Sequence, residues 1–337
     1  MNNRLKSLLN SLFKFCLAGG LISWLVATGR LDVNSVSALF RSSYFFIGFF
    51  FIGLNLWLAS ERWRLLATPQ NVPAGSWEMF RLSLVGVFFN YAMPGGVGGD
   101  VIKAYYFGKD HPQARAAAIT SVILDRVLGL YAMILMAVFI MLLDHTRVFA
   151  QPTLRTLFII LILLAAAFSL GFLSLFSRRI KSRGWVEKIL GRLPLSAKLL
   201  KLYETAHRFG LLRARVLTAL ALSVFAQSVS ILFLWIAGLA AGFNDVPLLT
   251  YFLVAPLGFM ATAIPISPAG LGVGQAAFLV LFNLYLGHPS SLGPVVITSQ
   301  QVMTAIFGLA GAFFYIRRKD RVSTDELERA TTTENSP

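Results

Sequence analysis

Two stretches of this sequence concentrate residues able to hold an anion. "NYAMPGGVGGDVIK" (90–103) sets one proline, four glycines and a carboxylate at the end of the apolar run Leu82 to Phe89, and "IPISPAGLGVGQ" (264–275) repeats the proline–glycine pattern much later. After Gly98 and Gly99 the chain reads "DVIKAYYF", and after Gly272 and Gly274 it reads "QAAFLVLF", so each glycine run can open onto a helix. Free amides at a helix start, the positive end of its dipole and backbone without side chains together suit a phosphate. Gly95, Gly96, Gly98 and Gly99 in the first loop and Gly270, Gly272 and Gly274 in the second are therefore candidate binding positions. Asp100 would compete for the same amides by capping the helix, or would pair with Lys103 one turn on. Lys103 is itself a candidate phosphate contact.

A third motif is "LDRVLG" (124–129). If its helix starts near Ala117, Asp125 and Arg126 lie about two turns inside an apolar span, where ionisable groups are expensive and usually functional. Neighbours in sequence point about 100° apart on a helix, so each needs a partner elsewhere. Arg126 is the strongest phosphate ligand on offer, because its planar fork stays charged and bonds paired oxygens. The alternative is a helix that begins before Ala117, with the pair at headgroup level where arginine snorkels. Asn90 and Gln275, at the inner ends of the broken segments, could line a polar path; Gln227 and Gln300 lie within spans. Helix-to-helix hydrogen bonding is the expected role for each of these four.

The elements that must position these residues are set by composition. With 337 residues, 56% hydrophobic, 13% charged and a mean hydropathy of +0.70, the chain has too little polar residue to coat a soluble globule. The sequence predicts an all-α polytopic membrane protein. Clear spans of about 20 apolar residues are 13 to 28, 43 to 60, 117 to 143, 154 to 176, 216 to 241 and 292 to 316. Two further apolar regions, 82 to 107 and 248 to 286, are each broken by the Pro/Gly loops above. The run 13 to 28 follows Arg4, Lys6 and Lys14 but leads to no A-x-A-like cleavage site, and is read as a retained span.

Orientation follows from basic residues. Between Arg178 and Arg215 stand eleven Lys/Arg against two Glu, which marks that loop as cytoplasmic. Arg4, Lys6 and Lys14 at one terminus, and Arg317, Arg318, Lys319 and Arg321 at the other, place both termini on the same side. Even numbers of crossings must then separate these landmarks, and the six clear spans already satisfy the count. The two broken regions are thus expected to be re-entrant helix pairs, or else to cross twice each. The first, flanked by Arg62, Arg64, Arg81, Lys109 and Arg115, opens inward; the second, flanked by Asp245 and His288, opens outward. That is a partial inverted repeat, the pattern that marks a transporter's substrate site. Small residues also simply let membrane helices approach, but two loops on opposite faces favour a cavity.

Other chemistries lack support. One cysteine, Cys16, excludes an internal disulfide, and the four histidines (His111, His145, His207, His288) show no paired ligand spacing, so no metal or cofactor is expected. Gly272, Gly274 and Ala277 satisfy G-x-G-x-x-A, yet no acidic residue follows until Asp320, and neither loop carries the G-K-[ST] of a P-loop. The net charge of +15 is accounted for by topology and anionic lipid headgroups at the loop 177–215, so no nucleic-acid partner is needed. Within that loop "LSAKLLKLYETAHRF" puts Leu195, Leu199, Leu202, Tyr203 and Ala206 on one face, as in an interfacial helix. Residues 1–320 read as one membrane domain and 321–337 as a disordered polar tail.

"MPGGVGGDVIKAYYF" (93–107), "LDRVLGL" (124–130) and "IPISPAGLGVGQAAF" (264–278) resemble, in order and spacing, motifs of the transmembrane domain shared by lysylphosphatidylglycerol synthases and many stand-alone flippase-like proteins. The resemblance covers about residues 10 to 316. Two positions depart from it: the family often has Glu where this chain has Asp125, and Glu where it has Gln275. The second change removes the charge that a proton-coupled or cation-binding role would use. The resemblance implies a stand-alone member without the soluble aminoacyl-transferase domain. It further implies lipid translocation without identifying the lipid. Joined to the cytoplasmic termini read from the basic flanks, this makes the expected function a non-enzymatic inner-membrane flippase for a phospholipid or a polyprenyl-phosphate-linked lipid. Two other readings stay open. A glycosyl or phosphoryl transferase would need a base and usually a metal, and only the isolated Asp100 and Asp125 are available. A non-transporting partner of an envelope-biosynthesis enzyme would dock through the basic loop.

Overall fold

A computed structural model describes residues 3–67, 74–93, 98–112, 115–176 and 213–318. The expected interfacial helix, most of the basic loop, the polar tail, and Gly95 and Gly96 lie outside the described residues. The described chain is helical throughout: α1 (Asn3–Ala27), α2 (Val33–Arg41), α3 (Tyr44–Ala67), α4 (Ser76–Ala92), α5 (Gly98–Asp110), α6 (Arg115–Leu143), α7 (His145–Ala150), α8 (Pro152–Phe176), α9 (Arg213–Ala240), α10 (Leu248–Ala263), a single 3-10 turn (Pro268–Gly270), α11 (Val273–Leu286) and α12 (Leu292–Arg317).

Six segments are long and apolar enough to cross a membrane: 44–67, 118–143, 152–173, 213–240, 268–286 and 292–317. Five of them coincide with spans read from the sequence. The sixth is α11 with its preceding turn, a run the sequence assigns to the second broken region. The N-terminal run is helical within α1, but its apolar part, Cys16–Ala27, is shorter than a full span. Phe46, Phe50, Leu163, Leu170 and Leu309 stand on the outside of the bundle, more than 60% exposed, as lipid-facing side chains do.

The core is continuous across the long helices. Ile52 of α3, Phe233 of α9, Tyr251 of α10, Phe278 and Phe282 of α11 and Met303 of α12 are all buried in one cluster. Polar side chains tie helices together inside it, as the sequence predicts for Gln300: its Nε2 donates to Ser230 Oγ at 2.6 Å, and Asn55 Nδ2 donates to the Ala226 carbonyl at 2.7 Å. Such bonds carry specificity where lipid supplies no hydrophobic drive between helices.

Both broken regions fold back on themselves. A Cβ built on Gly99 of α5 would lie 2.0 Å from the carbonyl oxygen of Gly86 on α4, so the two arms touch backbone to backbone. In the second pair Gly258 of α10 meets the ring of Phe278 on α11, where a Cβ would fall at 2.2 Å. The arms hold 17, 13, 16 and 14 residues, roughly 20 to 26 Å at 1.5 Å per residue. That is less than the hydrocarbon thickness of about 30 Å, and only α11, taken with its preceding turn as residues 268–286, is long enough to cross.

Helix α12 fixes the depth of each pair. Along α4, Leu84 packs on Gly311, Phe88 on Gly308, and Tyr91 bonds Gln301, so α4 runs antiparallel to α12 from its basic end inward. Along α11, Gln275 bonds Gln301 and Phe278 packs on Gly293, so α11 runs from the same depth toward the opposite end. The hairpins enter from opposite ends and their tips meet beside Gln301.

Candidate functional site

The first tip is built on a close backbone approach. Only glycine at 99 lets α5 come against Gly86, and the amide this exposes at the start of α5 is taken by a side chain: Gly99 N–H donates to Asn90 Oδ1 at 3.0 Å. Asn90 thus joins the two arms of one hairpin. Gly98 is also buried, with its Cα against the Met93 side chain.

Asp100 does not pair with Lys103. Its carboxylate accepts from Nε of Arg126 on α6; Asp100 is 17% exposed and Arg126 42%. Lys103 instead passes its methylenes along Gly86 and sets its ammonium 4.3 Å from the centre of the Trp63 ring. A half-buried cation over an indole face is held by roughly 1–2 kcal/mol. Trp63 is fully buried and fixed in turn, its Nε1 donating to Ser121 Oγ of α6 at 3.1 Å.

Asp125 and Arg126 turn to different partners, as their offset on the helix requires. Asp125 accepts two bonds from one edge of the Arg62 guanidinium, Nε to Oδ1 at 2.7 Å and Nη2 to Oδ2 at 3.0 Å, while Nη1 donates to Ser223 Oγ at 3.2 Å. The two side chains are 12% and 10% exposed, so this is a buried bidentate pair joining α3, α6 and α9, not a snorkelling one. Arg62 entered the sequence reading only as a basic flank. Its position within the α3 span, five residues before Ala67, is the signal that marks it as a partner for an intramembrane carboxylate.

The second tip is neutral. Ala269 sits at φ 48°, Gly270 at φ 70° and Gly272 at φ 78°, three residues in the left-handed half of backbone space. They turn the chain from the 3-10 segment into α11. A Cβ on Gly272 would lie 2.9 Å from Leu21 Cβ and 3.0 Å from the Ala18 carbonyl, so α1 closes directly over this turn. Gln275, fully buried, accepts from Gly272 N–H at 2.8 Å and donates to Thr298 Oγ1 at 3.1 Å and to Gln301 Oε1 at 2.7 Å. Gln301 Nε2 donates to the Ala269 carbonyl at 3.3 Å, and its main-chain carbonyl accepts from Tyr91 Oη at 2.8 Å. Gly274 packs against Thr262 and the Gln301 amide. Ser267, 1% exposed, leaves its hydroxyl without a hydrogen-bond partner among the described residues, beside this turn.

At each tip one helix-start amide is therefore occupied by a side-chain carbonyl, from Asn90 at one and Gln275 at the other. The described glycines of both loops, 98, 99, 270, 272 and 274, are all at close contacts, each with a neighbouring atom within 3 Å of a built Cβ. Tyr91, Gln301 and Ser267 were not singled out by the sequence reading. A glutamine or tyrosine within an apolar helix carries no spacing signal that separates a junction from ordinary interhelical bonding. Among the described residues no three His, Cys, Asp or Glu side chains group as metal ligands would.

The protein family described as "Lysylphosphatidylglycerol synthase TM region" matches residues 11–312. No curated protein and no solved structure matches the chain. With the match covering nearly the whole chain, the protein belongs to that family and is a multi-pass membrane protein.

Proposed function

We propose that this member of the lysylphosphatidylglycerol synthase TM region family is a lipid flippase of the inner membrane. It carries a phosphate-bearing lipid, a phospholipid or a polyprenyl-phosphate-linked one, between leaflets without chemical conversion and with both termini cytoplasmic. The observation that carries this reading is the meeting of two opposed hairpins at Gln301, with the Asp100–Arg126 pair joining the first hairpin to α6. A headgroup has to leave water, pass the apolar thickness and re-enter water, and a junction of short arms opening to opposite ends offers a path with a single barrier.

Arg126 is the group assigned to the lipid phosphate. It is the more exposed partner of its pair, and phosphate is the anion its fork suits best. Asp100 keeps the guanidinium aimed and its charge balanced between substrates, so arrival of a phosphate exchanges one anionic partner for another. Lys103 supplies a second positive charge on α5, the helix that carries Asp100, and the Ser267 hydroxyl at the second tip is a donor for a phosphate oxygen passing the junction. Since the described glycines are in close contact, their work in this scheme is to let the arms close tightly between substrates.

Transport by Arg126→Ala tests the assignment. The reading expects loss of flipping in liposomes with unchanged membrane insertion and thermal stability. Full activity in that variant would remove Arg126 from the path.

A further inference from the structure

At the basic end of the bundle the first turns of α4, the last turn of α5 and the last turns of α12 enclose a pocket of about 400 Å³ lined by Glu78, Arg81, Asp110, Phe313, Arg317 and Arg318, with Leu82 and Val85 at its apolar wall. Its carboxylates are already engaged. Glu78 Oε1 lies 3.0 Å from His111 Nε2, and Asp110 pairs with Arg318, whose guanidinium also rests 4.2 Å from the centre of the Tyr106 ring. Arg317 stacks on Phe313 at 4.2 Å, and among the described residues neither it nor Arg81 has a carboxylate partner. Both are exposed at the mouth of the pocket. Three arginines against two carboxylates leave the lining at +1.

Arginines at headgroup level often only snorkel, which needs no concavity and no apolar wall. Here two guanidinium groups without carboxylate partners border a cavity whose inner surface is aromatic and aliphatic. That is the division of chemistry in a phospholipid, a phosphate joined to a glycerol and an acyl chain. We propose that this pocket binds an anionic phospholipid of the adjoining leaflet, Arg81 and Arg317 bonding its phosphate and Leu82, Val85 and Phe313 receiving the start of an acyl chain. The net positive lining selects an anionic headgroup such as phosphatidylglycerol over a zwitterionic one. This site lies at the opening of the first hairpin, not at its tip, and the inference stands whether or not the protein moves lipid.

The test is native mass spectrometry of the full chain in detergent, titrated separately with phosphatidylglycerol, phosphatidylcholine and inorganic phosphate. Comparison variants are Arg81→Gln/Arg317→Gln, the charge-keeping Arg81→Lys/Arg317→Lys, and Lys198→Gln/Lys201→Gln in the basic loop. The expected result is preferential binding of phosphatidylglycerol. It falls about tenfold or more in the glutamine pair, is partly restored by the lysine pair and is unaffected by the loop pair, with thermal stability unchanged throughout. Binding that is equal for the two lipids, unmoved by Arg81→Gln/Arg317→Gln, or reduced as much by the loop variant would overturn the proposal. Retention of inorganic phosphate without lipid would assign the arginines to a soluble anion instead.

Discussion

Tyr91 and Gln301, 210 positions apart, join at 2.8 Å where the tyrosine hydroxyl of the first hairpin meets a main-chain carbonyl of α12. The side chain of the same glutamine holds the second hairpin through Gln275 and the Ala269 carbonyl. One residue therefore touches both tips, and a lipid path between them has to loosen its bonds.

Removing those bonds should alter transport more than folding. Tyr91→Phe deletes one hydrogen bond, worth about 1 kcal/mol, and Gln301→Leu deletes the two made by the side chain. Both variants should insert and remain folded, with thermal unfolding lowered by a few degrees, while the flipping rate changes several-fold. Wild-type rates in both would show that the junction does not limit passage.

The Arg62–Asp125 pair is a matter of stability. Breaking a buried pair from one side leaves an uncompensated charge, at about 3–5 kcal/mol. Arg62→Met and Asp125→Leu should each sharply lower the unfolding temperature in detergent, and the double variant should recover much of the loss. A double variant as unstable as the sum of the two would show that the pair does not act as a unit.

Gly99 gives a steric test. Alanine there would set a methyl 2.0 Å from the Gly86 carbonyl and force the arms apart, at about 1–3 kcal/mol. Gly20 of α1 has nothing within 4 Å of a built Cβ among the described residues. There alanine should be neutral or should gain up to about 1 kcal/mol of helix propensity. Thermal unfolding of the two variants side by side decides it, and equal shifts would contradict the packing.

Gln275 makes the second tip insensitive to pH, since residues 264–278 contain no ionisable side chain. Gln275→Glu should create a dependence. A buried carboxylate without a charged partner is costly in this apolar setting. Only its protonated form can donate to Gln301 Oε1. That variant should be less stable at neutral than at acid pH. A variant as flat with pH as the parent would show that the site admits water.

How much of this was legible beforehand follows from the physics of each feature. Apolar length and basic flanks depend on composition along the chain, so the long helices and the two interrupted regions could be read directly. The need of Asp125 and Arg126 for separate partners followed from helix geometry alone. The identity of those partners did not, because Arg62, Asp100 and Trp63 reach their contacts through tertiary packing between α3, α5 and α6. The same holds for the glycines. Sequence marks them as permissive, and only the fold shows that Gly99 faces a carbonyl and that Gly272 sits under α1.

The central claim is movement of a phosphate-bearing lipid, and it is tested most directly by liposomes holding the purified full chain with fluorescent phosphatidylglycerol, a polyprenyl phosphate or a neutral diacylglycerol in one leaflet. The account predicts accelerated exchange of at least one phosphate-bearing lipid relative to protein-free liposomes, loss of that exchange in Arg126→Ala, and no acceleration of the neutral lipid. Exchange no faster than in protein-free liposomes for every lipid would contradict it.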